Sequence, residues 1–490
     1  MGGNRKRVKS RQRYKDDKKY IVKRTLETAP NKSIIIIEPF YGGSHKQLID
    51  LLIHEFKENE NRKIYLLTLP ATKWHWRLRC SALYFAEMAP KLSSKNQYVL
   101  FCSSMFDLST FLSLRPEYCN NIIDDSSSSI VKKILYFHEN QLAYPTRQED
   151  TYKREIRDFQ FGYIQILSSL VADHVCFNSD FNRQSFLDNI QGHFKNLPSN
   201  QKLIKGDIER KIYSKSEVLY FPICINNNNN NINNNNMMPE DEPLHILWNH
   251  RWEHDKNPES FFQVICRLIE EVDNVSSISL SVVGESFGEV PDIFDIYKTK
   301  FEQNNNYYNK LNVKHWGYVE SKEKYFNILK DADIVVSTAN HEFYGVSVLE
   351  AVLHNCFPLV PNRLVYPEIY NKIPDCIYNT DNQLFKKIKD FALRPSRFRL
   401  KRDTYLLKMN QLQLEQYIWN DYNGKTNSVG NLKSRYKKLF QQNNNSHRYI
   451  RSNNINGNNS SPLSFIFTLL MMLLMNFSFI YIWNILNERL

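Results

Sequence analysis

Residues 31–40 (NKSIIIIEPF) carry an unbroken β-branched run, the pattern of a strand buried on both faces of a parallel sheet. The pair Gly42-Gly43 follows, and then apolar positions at Leu48, Leu51, Leu52 and Phe56, whose spacings of three and four predict a helix. Strand, glycine turn and helix open a βαβ unit. The alternation recurs, with strands predicted at 63–69, 98–104, 133–139 and 174–179 and a helix reaching about residue 172. A tract of asparagine with one isoleucine, Asn226 to Asn236, buries too little apolar surface to order itself and reads as a linker. Beyond it strands are predicted at 245–250, 279–285, 313–317, 333–338 and 357–361, between helices from about 258, near 322–331 and from Val346. Two such series predict an α/β protein of two doubly wound domains facing a central cleft.

This reading divides the chain into a tail (1–30), a first domain (31–225), a linker (226–243), a second domain (244–400), C-terminal helices (401–441), a further Asn-rich stretch (442–461) and an apolar segment (462–486). Leu406, Met409, Leu412, Tyr417 and Trp419 are the expected anchors of the C-terminal helices. At 490 residues there is room for two cores, and 42% hydrophobic with 24% charged residues excludes general disorder. The net charge of +12 suggests nucleic acid until it is located. Eleven Lys or Arg against two Asp fall between Met1 and Arg24, so the body is nearly balanced. That tail suits phosphates, an import receptor or an anionic membrane, and equally a solvated arm with no dedicated partner. No apolar stretch follows it, which argues against a secretory signal. Eight scattered cysteines without a C-x-x-C pair read as free thiols in a reducing compartment. Leu463 to Leu486 carries no charge and as a helix would extend about 36 Å, enough for a hydrocarbon core of about 30 Å. It is a candidate tail anchor that would leave the body facing the cytosol; a helix packed on the body or on a partner is the competing reading.

The most specific chemistry lies in HEFYGVSVLEA, residues 341–351. Glu342 falls on the loop at the carboxyl edge of the sheet, Gly345 allows a tight turn, Val346 starts the helix, and Glu350 lies about one turn in. Free N–H groups at that helix start suit a phosphate, while carboxylates suit vicinal hydroxyls because each accepts two hydrogen bonds. One sugar and one ribose therefore match two acids with a phosphate between them. Arg251 and Lys256, in RWEHDK just after the first strand of the second series, are placed to clamp a diphosphate and stabilise a leaving nucleotide. There is no H-E-x-x-H, no D-x-D at a strand end of the second domain and no Cys/His pattern at zinc spacing, so a metal-independent reaction without cofactor is expected. GKT at 424–426 lacks the upstream glycine of a P-loop.

HRWEHDKNP, VVGE (282–285), GYVESKEKYFNILKDADIVVST and HEFYGVSVLEA together resemble the donor half of the family-4 retaining GT-B glycosyltransferases, with R-x4-K and E-x7-E in order. The first half is more particular. IIIIEPFYGGSHKQL, TLPATKWHWRLRCSALYFAE, YFHENQLAYP and CFNSDFNRQSF resemble the tRNA-queuosine mannosyltransferase group, and the likeness covers roughly 33–370. It implies the GT-B fold of two Rossmann-like domains, GDP-mannose as donor and the cyclopentene diol of queuosine in tRNA(Asp) as acceptor, with retention giving an α-mannoside. It carries Arg251 and Lys256 to the diphosphate, Glu342 and Gly345 to the sugar and Glu350 to the ribose. Gly42 and Gly43 would approach the donor phosphates from the other domain, though a plain tight turn also explains them. His138, in YFHENQ, would approach the donor sugar and joins Glu342, Arg251 and Lys256 in the catalytic set. Trp74, Trp76 and Arg77, with His75 and Arg79, mix aromatics and cations on what reads as one loop, suited to stacking and backbone contact with an anticodon loop; core packing of the tryptophans is the rival. A tRNA substrate places the protein in the cytoplasm or nucleus. Two alternatives stand: a membrane-bound mannosyl- or glucosyltransferase acting on a lipid-linked acceptor, which the apolar C-terminus favours, and a non-catalytic binding protein that keeps the fold.

Overall fold

The four isoleucines at 34–37 set the architecture. In strand β1 (Lys32–Tyr41), Ile34 and Ile36 join one hydrophobic cluster and Ile35 and Ile37 another, all without exposed surface. A strand buried on both faces needs helices on both sides, and the chain supplies them. A computed structural model describes residues 32–441 apart from short stretches, the longest being 120–129, 145–150, 199–204, 224–241, 303–309 and 420–431. The basic tail, the linker at 226–236, the stretch 442–461 and the apolar segment 462–486 lie outside the described residues. Among the described residues no helix is long and apolar enough to cross a membrane.

The first lobe alternates β1, α1 (Gly43–His54), β2 (Lys63–Pro70), α2 (Trp74–Met88), β3 (Gln97–Ser103), α3 (Leu108–Leu114), β4 (Ile130–Phe137), α4 (Thr151–Val171), β5 (His174–Phe177), α5 (Asp180–His193), α6 (Asp207–Tyr213) and β6 (Ser216–Val218). Its strands are parallel in the order β2-β1-β3-β4-β5-β6. The second lobe runs β7 (Leu244–Trp248), α7 (Pro258–Glu271), β8 (Ile278–Val283), α8 (Ile293–Glu302), β9 (Leu311–Gly317), α9 (Lys322–Asp331), β10 (Ile334–Val336), α10 (Val346–Leu353), β11 (Phe357–Pro361), α11 (Tyr366–Tyr370), β12 (Ile377–Tyr378) and α12 (Asp381–Leu393). Its order is β12-β11-β10-β7-β8-β9, again parallel. Each sheet reverses its winding once, between β1 and β3 and between β7 and β10. Loops leaving the carboxyl ends of strands at such a point diverge and open a crevice for a ligand.

Two features depart from the expectation. The segment Trp74–Arg79 is not a loop but the first turns of α2, because Leu78, Ser81, Ala82 and Phe85 recur at helical spacing and are buried. The C-terminal helices do not form a separate unit. Helix α13 (Pro395–Leu412) begins inside the stretch assigned to the second domain, and α14 (Leu432–Phe440) returns to the first sheet. There Phe440 lies 4.5 Å from Phe56 and 5.5 Å from Phe101 between ring centroids, and Tyr436 Oη donates to Tyr136 Oη at 3.2 Å.

Candidate active site

Both loops at the β7/β10 switch point carry the expected residues, and the backbone stitches them together. The carbonyl of Asp255 accepts the N–H groups of Asn340 and His341 at 2.8 and 3.2 Å, and Thr338 Oγ1 donates to the carbonyls of Lys256 and Asn257. Lys256 is thereby buried, with 5% of its surface exposed, and its ammonium meets His341 O at 2.7 Å, Asp255 Oδ2 at 3.1 Å and Glu342 Oε2 at 3.3 Å. The other Glu342 oxygen accepts the N–H groups of Phe343 and Tyr344 at 3.1 and 3.2 Å. Burial would raise the Glu342 pKa, but the Lys256 ammonium, His250 and the backbone N–H groups of Tyr344 and Gly345 outweigh it and lower it to about 2. The same pairing raises Lys256 against the opposing effect of its burial. Around neutral pH both groups are charged.

Gly345 caps α10 at φ +79°, a left-handed conformation that disfavours any side chain. Val346 is the first residue of that helix, and Glu350 lies one turn in and faces Tyr325 Oη at 3.4 Å. Asn249 holds that hydroxyl at 3.1 Å and also donates to Ser347 O at 2.7 Å. Burial raises the Glu350 pKa; Lys322, Tyr325 and Gln47 of α1 counter it, the last two as hydrogen-bond partners. Arg251 is the most open of the four charged residues, at 45% side-chain exposure, with Glu253 at 3.2 Å. Gly284, in VVGE, passes so close that a Cβ would sit 1.8 Å from His250 O.

Across the cleft, Gly42 precedes α1 and would press a Cβ to 2.4 Å from that of Ala71, while Gly43 adopts φ +49°. His138 follows β4 directly and is buried. Its ring stacks on His45 with centroids 3.9 Å apart, and His45 Nδ1 donates to buried Glu38 Oε2 at 3.1 Å. Ligand atoms of Glu38, His45 and His138 lie within 4.8 Å of one another, near enough to gather round a cation. However, both Glu38 oxygens are engaged, Oε1 by the Phe40 N–H at 2.8 Å, and lone pairs in two stacked ring planes do not converge on one point. The cluster is a hydrogen-bonded stack.

Of the acceptor candidates, Trp74 packs on Phe161 at 5.1 Å and stacks on His75, so core packing accounts for it. Trp76 is 63% exposed on the same helix, and Arg77 holds a buried Nε without a hydrogen-bond partner. Asp255, His250, His341, Tyr325, Asn249, Glu38 and His45 were missed as site residues. Most stand inside or next to the motif stretches, where a sequence signal for burial was present but none for mutual contact.

The lobes meet at the loop that carries Glu342. Ser179 Oγ donates to Phe343 O at 2.6 Å, Tyr344 Oη donates to Phe221 O at 2.7 Å, and Glu368 accepts the first N–H groups of α5, Asp180 and Phe181, both at 2.9 Å.

Comparison with known proteins places this geometry in a family. A profile described as "tRNA-queuosine alpha-mannosyltransferase N-terminal" matches residues 33–223. The tRNA-queuosine alpha-mannosyltransferase of Drosophila melanogaster is 41% identical over 384 residues, which is 77% of this chain and 91% of that protein. The chain belongs to the tRNA-queuosine alpha-mannosyltransferase family. Solved structures extend the likeness to the fold. An E. coli trehalose-6-phosphate protein bound with UDP-2-fluoro glucose matches at 12% identity and TM-score 0.53, covering 84% of this chain and all of that one. The N-terminal domain of a Candida albicans trehalose-6-phosphate phosphatase matches at 11% and 0.53, covering 86% and 98%. The fold of this member of the mannosyltransferase family is GT-B, and the protein is a glycosyltransferase.

Proposed function

We propose that the protein transfers mannose from GDP-mannose, with retention, to queuosine in tRNA(Asp). The observation that carries this reading is the convergence of Glu342, Lys256 and Arg251 on the β7/β10 switch point in a member of this family. The diphosphate meets Arg251 and the N–H groups at the start of α10, while Glu350 and Tyr325 receive the ribose. Lys256 donates to His341 O and Glu342 Oε2 and lies against Asp255, so donor binding exchanges its contact with Asp255 or Glu342 for a phosphate oxygen. Glu342, freed in part, takes sugar hydroxyls, and His138 approaches the sugar from the first lobe. As the glycosidic bond breaks, these cations stabilise the charge on the departing diphosphate. The acceptor hydroxyl attacks from the same face and gives its proton to the leaving phosphate oxygen. Trp76 and Arg77, on the first turns of α2, face the tRNA. Neither metal nor cofactor enters the scheme.

Mass spectrometry of tRNA(Asp) nucleosides from cells with and without the protein tests it. A mannosyl-queuosine signal present only with the protein is expected. Its absence in both, with unmodified queuosine accumulating equally, would contradict the acceptor.

A further inference from the structure

Glu38 and His45 lie beside His138 and have no part in the scheme above. Glu38, in the C-terminal half of β1, is fully buried, and its two oxygens hold the Phe40 N–H and His45 Nδ1. His45, in the first turn of α1 just after Gly42-Gly43, lies flat on His138, with ring planes 25° apart. Tyr136 and Phe221 flank the His138 ring at 4.9 and 5.9 Å between centroids. Two imidazoles stacked this closely in a buried site do not both carry charge, because like charges without intervening water repel strongly. The carboxylate touches His45 and not His138, so Glu38 determines which ring keeps the extra proton.

We propose that Glu38 and His45 are positioning residues that fix the His138 ring and keep it a neutral imidazole beside the donor sugar. The inference rests on the reading of His138 as a sugar contact. Its chemical sense lies in the transition state: the anomeric carbon gains positive charge as its bond to the leaving group lengthens. An imidazolium at position 138 would oppose that charge, whereas a neutral ring still hydrogen-bonds a sugar hydroxyl. The positive charge sits instead one ring away, on the His45 side, where the Gly42-Gly43 turn is expected to approach the diphosphate. Burial and then the His45 charge hold His138 well below 6.5, while Glu38 outweighs the burial of His45 and raises it. The titratable groups around the stack are Glu38 on β1, Tyr136 on β4 and Glu139 after it, with Cys102 on β3 beside Glu38; burial keeps the Tyr136 hydroxyl and the Cys102 thiol protonated.

The test measures kcat and KM against pH for the full chain with GDP-mannose and queuosine-bearing tRNA, in wild type, His45→Gln, Glu38→Gln and His138→Ala. His45→Gln keeps a hydrogen-bonding group for Glu38 but removes the charge, and Glu38→Gln keeps the Phe40 contact while removing the carboxylate. Each is expected to lower kcat about tenfold with donor KM changed less than about threefold, the size of effect that loss of one positioning hydrogen bond has on a rate. Each should also move the acid limb of kcat upward by about half a unit or more, since loss of the neighbouring cation lets His138 take a proton more easily. A uniform loss with no displacement of the limb in both variants, or wild-type rates in both, overturns the inference. If His138→Ala keeps wild-type rates, the reading of His138 itself fails. If His138→Ala is impaired while the other two keep the wild-type profile, only the positioning role fails.

Discussion

At the scale of single residues, the site is defined by one buried cation shared among two carboxylates and a carbonyl. Glu342→Ala leaves Lys256 with Asp255 and the His341 carbonyl, and removing one partner of a buried ion pair costs about 3–5 kcal/mol. Thermal unfolding should register that loss, and transfer should fall at least about a hundredfold because an interaction with the reacting sugar goes too. The sign of the pH effect follows from the depressed Glu342. Its stabilisation is complete above the ordinary carboxylate range and is lost only as pH falls toward about 2, so titration of Glu342 should leave melting temperature unchanged between about pH 6 and 8. Arg251 is exposed enough to lie off the folding balance; Arg251→Ala should lower kcat/KM by about 10- to 150-fold with little change in melting temperature, the magnitude of one or two charge-assisted hydrogen bonds. The acids and bases were legible in the sequence because their spacing and place after a strand limited what they could do. Their partners were not: His250 and Asp255 flank the motif residues in the chain, but the influence of His250 on Glu342 and the hold of the Asp255 carbonyl on Asn340 and His341 come only when the β7 and β10 loops meet. Glu38 and His138 are a hundred positions apart, and no local pattern joins them.

At the scale of elements, glycines decide how closely the loops approach. Gly284→Ala would drive a methyl into the His250 carbonyl, so the β7 loop must move; a loss of about 1–3 kcal/mol and weaker donor binding are expected by calorimetry. Gly345→Ala would bring a methyl into ordinary contact, 3.4 Å from Tyr366 Cε1 and 3.7 Å from Glu342 Cγ, yet its left-handed φ remains unfavourable, at about 1 kcal/mol, and should show chiefly as lower kcat. Strands were the legible elements here, since a β-branched run such as Ile34–Ile37 or VVGE has few alternatives. Short pieces were not. Strand β12, at two residues, and β6, at three, are below any period, and α2 was hidden because its first turn is crowded with aromatics and arginines that resemble a binding loop.

At the scale of the whole molecule, the loop that carries Glu342 is also a contact between lobes. Phe343 and Tyr344, between Glu342 and Gly345, bond to Ser179 and Phe221 of the first lobe, and Glu368 caps α5 from the second. Opening of the cleft and displacement of Glu342 are therefore coupled. Tyr344→Phe removes one such bond without changing the loop's volume and should raise donor KM several-fold with kcat less affected, since the loss falls on closure. The two-lobed plan was readable from two βα series around one interruption. The return of α14 to the first sheet was not, because a helix periodicity names a buried face and not the surface that buries it.

The central claim is that this cleft moves mannose onto queuosine, and transfer of radiolabel from GDP-[14C]mannose tests it most directly. Queuosine-bearing tRNA(Asp) should become labelled with the wild-type chain, in α linkage and equally with or without EDTA, and remain at background with Glu342→Ala. Labelling by Glu342→Ala at the wild-type rate, or no labelling by the wild type under conditions where it is folded, would contradict the account.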